Sequence, residues 1–185
     1  MSEANTPKSS PKKDKRRGLQ RFRRDSRGAT AVEFGLVAIP FFALMMAILE
    51  TFLLFFASQT IETATNRGAR LIRTGQAQTA GMTEADFKTE ICSAMAGLFN
   101  CSANLRVDVR TYEFFDNVDL TQPVDDDGNL IEDFIFQPGD AGDVVVVRAF
   151  YEWPIHTNIL GLGLASLANV KHLIAAATAF RNEPF

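Results

Sequence analysis

The sequence is poor in the residues from which most active sites are built. Its 185 residues include two His, two Cys and one Trp. Two cysteines exclude a disulfide-dense scaffold. His156 and His172 sit in no catalytic or metal-binding motif and read as surface or packing residues. No nucleophile stands beside a base, and no phosphate-binding loop is present. Gly161-Leu162-Gly163 lacks the third glycine and the strand-loop-helix setting of a dinucleotide site. The expectation is a protein that is not an enzyme and uses no cofactor and no metal. At 46% hydrophobic and 22% charged residues, the chain is neither collagen-like nor wholly disordered, and it has room for one modest domain.

Basic residues are also scarce after the first segment. Residues 1–27 carry ten of the 19 Lys and Arg against three of the 22 acids, so that end stands at +7 and the remainder at −10. A nucleic-acid binder spreads its positive surface over a folded module, whereas this charge sits on a Pro/Ser/Lys tail, so no nucleic-acid partner is expected. The tail has no hydrophobic periodicity and reads as disordered. From Phe34 to Ala57 the run FGLVAIPFFALMMAILETFLLFFA holds one ionisable residue, Glu50, in 24. At 1.5 Å per residue a helix of that length reaches about 36 Å, enough to cross a hydrocarbon core of roughly 30 Å with some tilt. Pro40 should kink this helix rather than end it. A cleaved signal peptide has a shorter apolar stretch, and Ala57-Ser58 is a poor cleavage match. Positive charge just before the span predicts a cytoplasmic N-terminus, with everything beyond residue 60 outside.

Between tail and span lies Arg27-Gly28-Ala29-Thr30-Ala31-Val32-Glu33-Phe34, a glycine followed five residues later by a lone acid at the membrane edge. This resembles the processing motif of type IV prepilins, in which a peptidase cuts after the Gly and leaves Glu at the fifth position of the mature chain. Glu33 followed by Phe34 resembles the version in the Flp, or tight-adherence, branch. The stretch GATAVEFGLVAIPF is similar to the TadE-like family of pseudopilins, and the ending FRNEPF (180–185) also looks like that family's. The resemblance implies a cut between Gly28 and Ala29, and Glu33 as acceptor for the freed ammonium of Ala29. It also implies a bacterial inner-membrane location with the C-terminal domain in the periplasm. Implied partners are the membrane, a prepilin peptidase, other pilins or pseudopilins, and the pilus assembly platform. Physical chemistry agrees on one point: a glycine at the scissile bond gives a membrane protease an unobstructed backbone. Without the resemblance, Glu33 is an ordinary acid near a helix N-terminus.

Glu50 lies about 10 Å below the outer end of the apolar run at helical rise. A carboxylate there must be protonated, reach outward to the headgroups, or find a polar partner in an assembly, which makes it a candidate intramembrane contact. Beyond it, Ile61, Ala64, Gly68 and Leu71 share one face while Glu62, Asn66, Arg70 and Arg73 lie elsewhere. This predicts one helix from about residue 30 to 74. Gly75 to Met82 reads as a loop. Thr83 with Glu84, Asp86, Phe87, Ile91 and Met95 reads as a capped helix ending near Gly97. Cys92 and Cys101 suit a structural disulfide in an oxidising compartment better than a redox dithiol, which uses the C-x-x-C spacing.

Leu105 to Tyr112 alternates as a half-buried strand should, and Val144 to Trp153 reads as a central strand stopped by Pro154. Lys171 to Arg181 is Ala-rich and ambiguous, although Ile174, Ala176, Thr178 and Phe180 permit a strand. Asp116 to Asp143 holds nine acids and no Lys or Arg. An EF-hand register counted from Asp125 fails, because Leu130 occupies the glycine position and Phe136 the terminal glutamate position. The segment reads instead as a solvated turn at Asp127-Gly128, with Leu130 to Phe136 packing back onto the domain.

The expected fold class is α+β: a long N-terminal helix, transmembrane in its inner half and amphipathic in its outer half, carrying a small domain of one or two helices on a three- to four-stranded antiparallel sheet. The expected division is a basic leader (1–28), a membrane and stalk helix (29–74) and an outer domain (75–185). A minor pseudopilin supporting Flp-type pili is one function consistent with this plan. The other is an uncleaved single-span envelope protein whose acidic domain binds a ligand or protein partner.

Overall fold

The computed structural model describes residues 28–95, 100–155 and 165–185. The basic leader up to residue 27, Gly97, His156 and Gly161-Leu162-Gly163 lie outside the described residues. The fold is α+β: a long N-terminal helix is followed by a small domain with a three-stranded antiparallel sheet and short helices. The chain divides into two compact units, Met1–Met45 and Met46–Phe185, and the boundary falls within that first helix.

The first helix, α1 (Ala29–Arg73), runs through Pro40 without ending. In the first unit, every described residue of α1 is exposed or half-buried, the half-buried ones being the small residues Gly35, Ala38 and Ala43. The second unit begins differently. From Glu50 onward α1 buries Ala57, Ile61, Ala64, Thr65, Gly68, Ala69 and Ile72, with Leu54 partly covered. Those three- and four-residue steps make one continuous stripe on a helix, which is the face a sheet can cover. Leu71 is only half-buried, so the stripe lies slightly to one side of the face read from the sequence.

The helix stops where glycine permits. Gly75 adopts φ +73°, a left-handed conformation that costs a side chain about 1–2 kcal/mol. Contrary to the sequence reading, the stretch after it is not all loop. Gln76–Thr79 forms a helical turn, α2, because Ala77 buries its methyl group against the core and the Thr79 N–H donates to the Gly75 carbonyl at 2.9 Å. Thr83 then caps α3 (Glu84–Ala94). Its hydroxyl accepts from the Asp86 N–H at 3.3 Å, and the Asp86 carboxylate accepts from the Thr83 N–H at 3.0 Å. This reciprocal capping box satisfies two amides that a helix start leaves unpaired. The helix ends at Ala94, three residues before the glycine named from sequence. After the short α4 (Cys101–Asn104) come β1 (Leu105–Tyr112), β2 (Val144–Pro154) and β3 (Lys171–Arg181), in spatial order β1-β2-β3. The ambiguous Ala-rich segment is therefore a strand, fixed by its pairing with β2 over the full register from Val144↔Arg181 to Pro154↔Lys171.

Strand register sorts the side chains onto two faces. Leu105, Val107 and Val109 of β1 align with Val145, Val147, Ala149 and Tyr151 of β2 and with Ile174 and Ala176 of β3. These residues form the main core together with the α1 stripe and with Phe87 and Ile91 of α3. Gly68 marks the close approach of α1 and α3, since a Cβ there would sit 3.0 Å from Ile91 Cγ1 and 3.1 Å from Phe87 Cζ. The opposite face carries Asp108, Arg148, Phe150 and Leu173, and a smaller core of Phe150, Leu167 and Leu173 is covered by Val124, Leu130 and Phe134.

Candidate functional site

The junction at the start of α1 is open. Gly28 has nothing within 4 Å of where a Cβ would be, and Ala29, Glu33 and Phe34 are all exposed. Ala29 begins the helix, so Glu33 lies four residues on and one turn away along the same face. Helical side chains lean toward the N-terminus, which brings a carboxylate at this position back toward the backbone nitrogen of Ala29. Past the junction, α1 is the one helix among the described residues long and apolar enough to cross a membrane, and none of its most apolar window is buried.

Glu50 is placed differently from its apolar neighbours. It is 6% exposed and engaged by a polar interaction within its own chain. The surrounding sequence marks Glu50 as an ionisable residue in an apolar run. The fold adds that it lies on the α1 face buried in the second unit.

The acidic segment between β1 and β2 is held against the back of the sheet by arginines from the strands. Asp108 is wholly buried, and its carboxylate accepts from Arg148 Nη2 at 2.6 Å, Arg148 Nε at 3.0 Å, Arg110 Nε at 3.0 Å and the Ile135 N–H at 3.0 Å. Arg148 also donates to the Thr121 carbonyl at 3.1 Å, and Arg110 to the Asp133 carbonyl at 2.6 Å. Burial works against the Arg110 cation, but hydrogen bonds to Asp108 and Asp133 outweigh it and raise its pKa. The segment also adds a short edge to β1: the Val109 N–H donates to Ile135 at 2.7 Å, and the Gln137 N–H returns to Val109 at 2.8 Å. Alternation follows from that edge, with Phe134 turned to Phe150 on one side and Phe136 to Phe87 on the other.

The Asp125–Asn129 turn satisfies its own lead carboxylate. Asp125 Oδ1 accepts from the Asn129 N–H at 2.7 Å and the Asp127 N–H at 3.1 Å, and Gly128 supplies the φ of +81° that closes the turn. Hydrogen bonds led by the Asn129 N–H hold the Asp125 carboxyl below its ordinary range. Among the described residues, no group of three or more His, Cys, Asp or Glu is arranged to hold a metal ion.

Two further features tie the domain together. Cys92 and Cys101 form a disulfide with Cα atoms 5.6 Å apart, joining the end of α3 to the start of α4. The last residues close over the outer end of α1. The Glu183 N–H donates to the Arg73 carbonyl at 2.9 Å, and the Glu183 carboxylate lies 3.4 Å from Arg73 Nε. Asn182 is buried and donates to the Pro138 and Asp140 carbonyls at 3.0 Å. Phe185 covers Gly75 where any side chain would overlap its ring. This use of the C-terminal segment as a helix cap is invisible in the sequence, since both partners lie over 100 residues away.

A helix near the N-terminus long and apolar enough to cross a membrane, followed by a small α+β domain, is compatible with the membrane-anchored class of protein. Within that class, residues 28–70 match the family model for TadE-like protein, the family whose motif the junction resembles. That match and the apolar helix fit a pilus-associated membrane protein. No curated protein and no solved structure matches the chain.

Proposed function

We propose that the chain is a TadE-like minor pseudopilin, anchored in the bacterial inner membrane with its leader in the cytoplasm and its domain in the periplasm. A prepilin peptidase cuts it after Gly28, and the freed α1 packs among the helices of other pilins to support assembly of Flp-type pili. It works by placement and contact, without catalysis. Cleavage leaves an ammonium at Ala29 one helical turn from the Glu33 carboxylate, so the new charge has an acceptor on its own chain or on a neighbour. The observation that carries this reading is the exposed Gly28-Ala29 bond placed where α1 starts, with Glu33 one turn inside it and the unburied apolar turns beyond.

Substitution of Gly28 tests the reading in the native host. Gly28→Trp should leave the chain about 3 kDa heavier than the processed form, a mass calculated from the 28-residue leader, and should abolish surface pili. Unchanged polypeptide size together with normal piliation would dismiss the proposal.

A further inference from the structure

On one face of α1 the domain begins at Glu50, yet the opposite face stays apolar for nearly two more turns. Phe52, Leu53, Phe55 and Phe56 are 67%, 49%, 67% and 43% exposed. The same face then turns polar and stays so, through exposed Gln59, Glu62 and Asn66. Along residues 50–56 the helix therefore has protein on one side and bare aromatic surface on the other.

The length of that surface identifies what covers it. From Phe34 to Phe56 the exposed apolar stripe spans 22 helical steps, about 33 Å. This exceeds a hydrocarbon core of about 30 Å but fits within the core plus one interfacial layer, since the whole bilayer measures about 40–45 Å. Large side chains also fit lipid better than a neighbouring helix, because close helix packing in membranes favours small residues that let backbones approach. Glu50 is consistent with the same level: the one ionisable group of the apolar run is on the domain side, where it has a polar interaction within its own chain. A carboxylate turned to lipid there would be costly.

Resting on the membrane-anchor reading, we infer that the bilayer itself is the partner of this surface. The outer domain is seated in the outer interfacial layer, with Phe52, Leu53, Phe55 and Phe56 facing lipid, and the polar switch at Gln59 marks the water boundary. The domain is not carried on a free stalk above the membrane.

Nitroxide labels on the full-length chain in phospholipid nanodiscs test this, with Cys92 and Cys101 kept in their disulfide. The variants are Phe41→Cys in the middle of the apolar run, Phe55→Cys on the seat, and Asn66→Cys eleven residues further along the same face. Oxygen, which concentrates in lipid, should relax the labels at 41 and 55 more than a water-soluble nickel chelate does. The order should reverse at 66. Nickel access at 55 equal to that at 66, with 41 still in lipid, overturns the seat and leaves the membrane span intact. Low access to both reagents at 55, with spin–spin broadening that vanishes on dilution by unlabelled chain, overturns it in favour of a second copy. Nickel access at 41 as well overturns the membrane span on which the inference rests. Phe56→Cys gives an independent reading if Phe55→Cys does not fold.

Discussion

Replacing Asp108 with alanine should release the acidic segment from the domain. The carboxylate is wholly buried and is the shared anion of two arginines, of which Arg148 has only 10% of its side chain exposed. Asp108→Ala leaves that guanidinium buried without its anion, beside a second cation at Arg110, and leaves the Ile135 N–H without its acceptor. Breaking a buried pair from one side costs about 3–5 kcal/mol, roughly a fifth or more of the 5–15 kcal/mol that holds a domain folded. Urea unfolding of the full chain in nanodiscs, followed through the single tryptophan, Trp153, reads the loss. Hydrogen exchange at Ile135 and Gln137 reads the detachment, because both amides serve the contact with β1. Asp133→Ala is the internal control. Its carboxylate is 76% exposed where it meets Arg110, so its loss should cost about 0–1 kcal/mol. Replacing both partners, Asp108→Leu with Arg148→Met, should recover about half or more of the single-variant loss, because no buried charge is stranded. A loss below about 1 kcal/mol for Asp108→Ala, with exchange unchanged, would show that Phe134 and Phe136 hold the segment without the ion cluster.

Other perturbations have distinct signatures. The Cys92–Cys101 bridge closes a ten-residue loop, so Cys92→Ser with Cys101→Ser should cost about 2.7 kcal/mol by loop-closure entropy, and reductant should reproduce the loss by thermal melting. The Lys171 ammonium, 2.7 Å from Glu152, leads the contacts that hold the Glu152 carboxyl below its ordinary value of 4.5. A depressed folded-state pKa contributes stability in full above the unfolded value and loses it as pH falls through the folded one. Glu152→Gln should therefore flatten the loss of stability below pH 4.5 and leave that slope unchanged above it, as read by melting across an acid series. Gly75→Ala should cost about 1–2 kcal/mol in backbone strain alone, and more through its clash with Phe185. Wild-type melting behaviour would show that the C-terminal segment does not cap α1.

The parts of the fold that were legible are those whose signal is local. Leu105 to Tyr112 carries a strand period, Val144 to Trp153 an apolar run that then alternates, and Thr83 with Asp86 a helix start; the second strand takes in Pro154 as its last residue rather than stopping before it. Lys171 to Arg181 was ambiguous because alanine suits helix and strand alike, and only the neighbouring strand decides. The turn at Gln76–Thr79 has no signal in the sequence, because a four-residue helix needs just one buried methyl, that of Ala77, which is too little for a period. The acidic segment has no cation of its own, and the arginines that hold it, Arg106, Arg110 and Arg148, come from strands 23 to 29 residues away from their partners in it. Glu50 is buried on the α1 stripe, whereas its apolar neighbourhood in sequence predicts a lipid-level acid and gives no sign of that burial. The junction from Gly28 to Phe34 was the opposite case, because its residues and spacing are the whole signal.

The mass of the N-terminal peptide of the protein purified from its native host decides whether the leader is removed. The expected chain begins at Ala29. A chain that begins at Met1 or Ser2, isolated from cells that still assemble pili, would contradict that expectation.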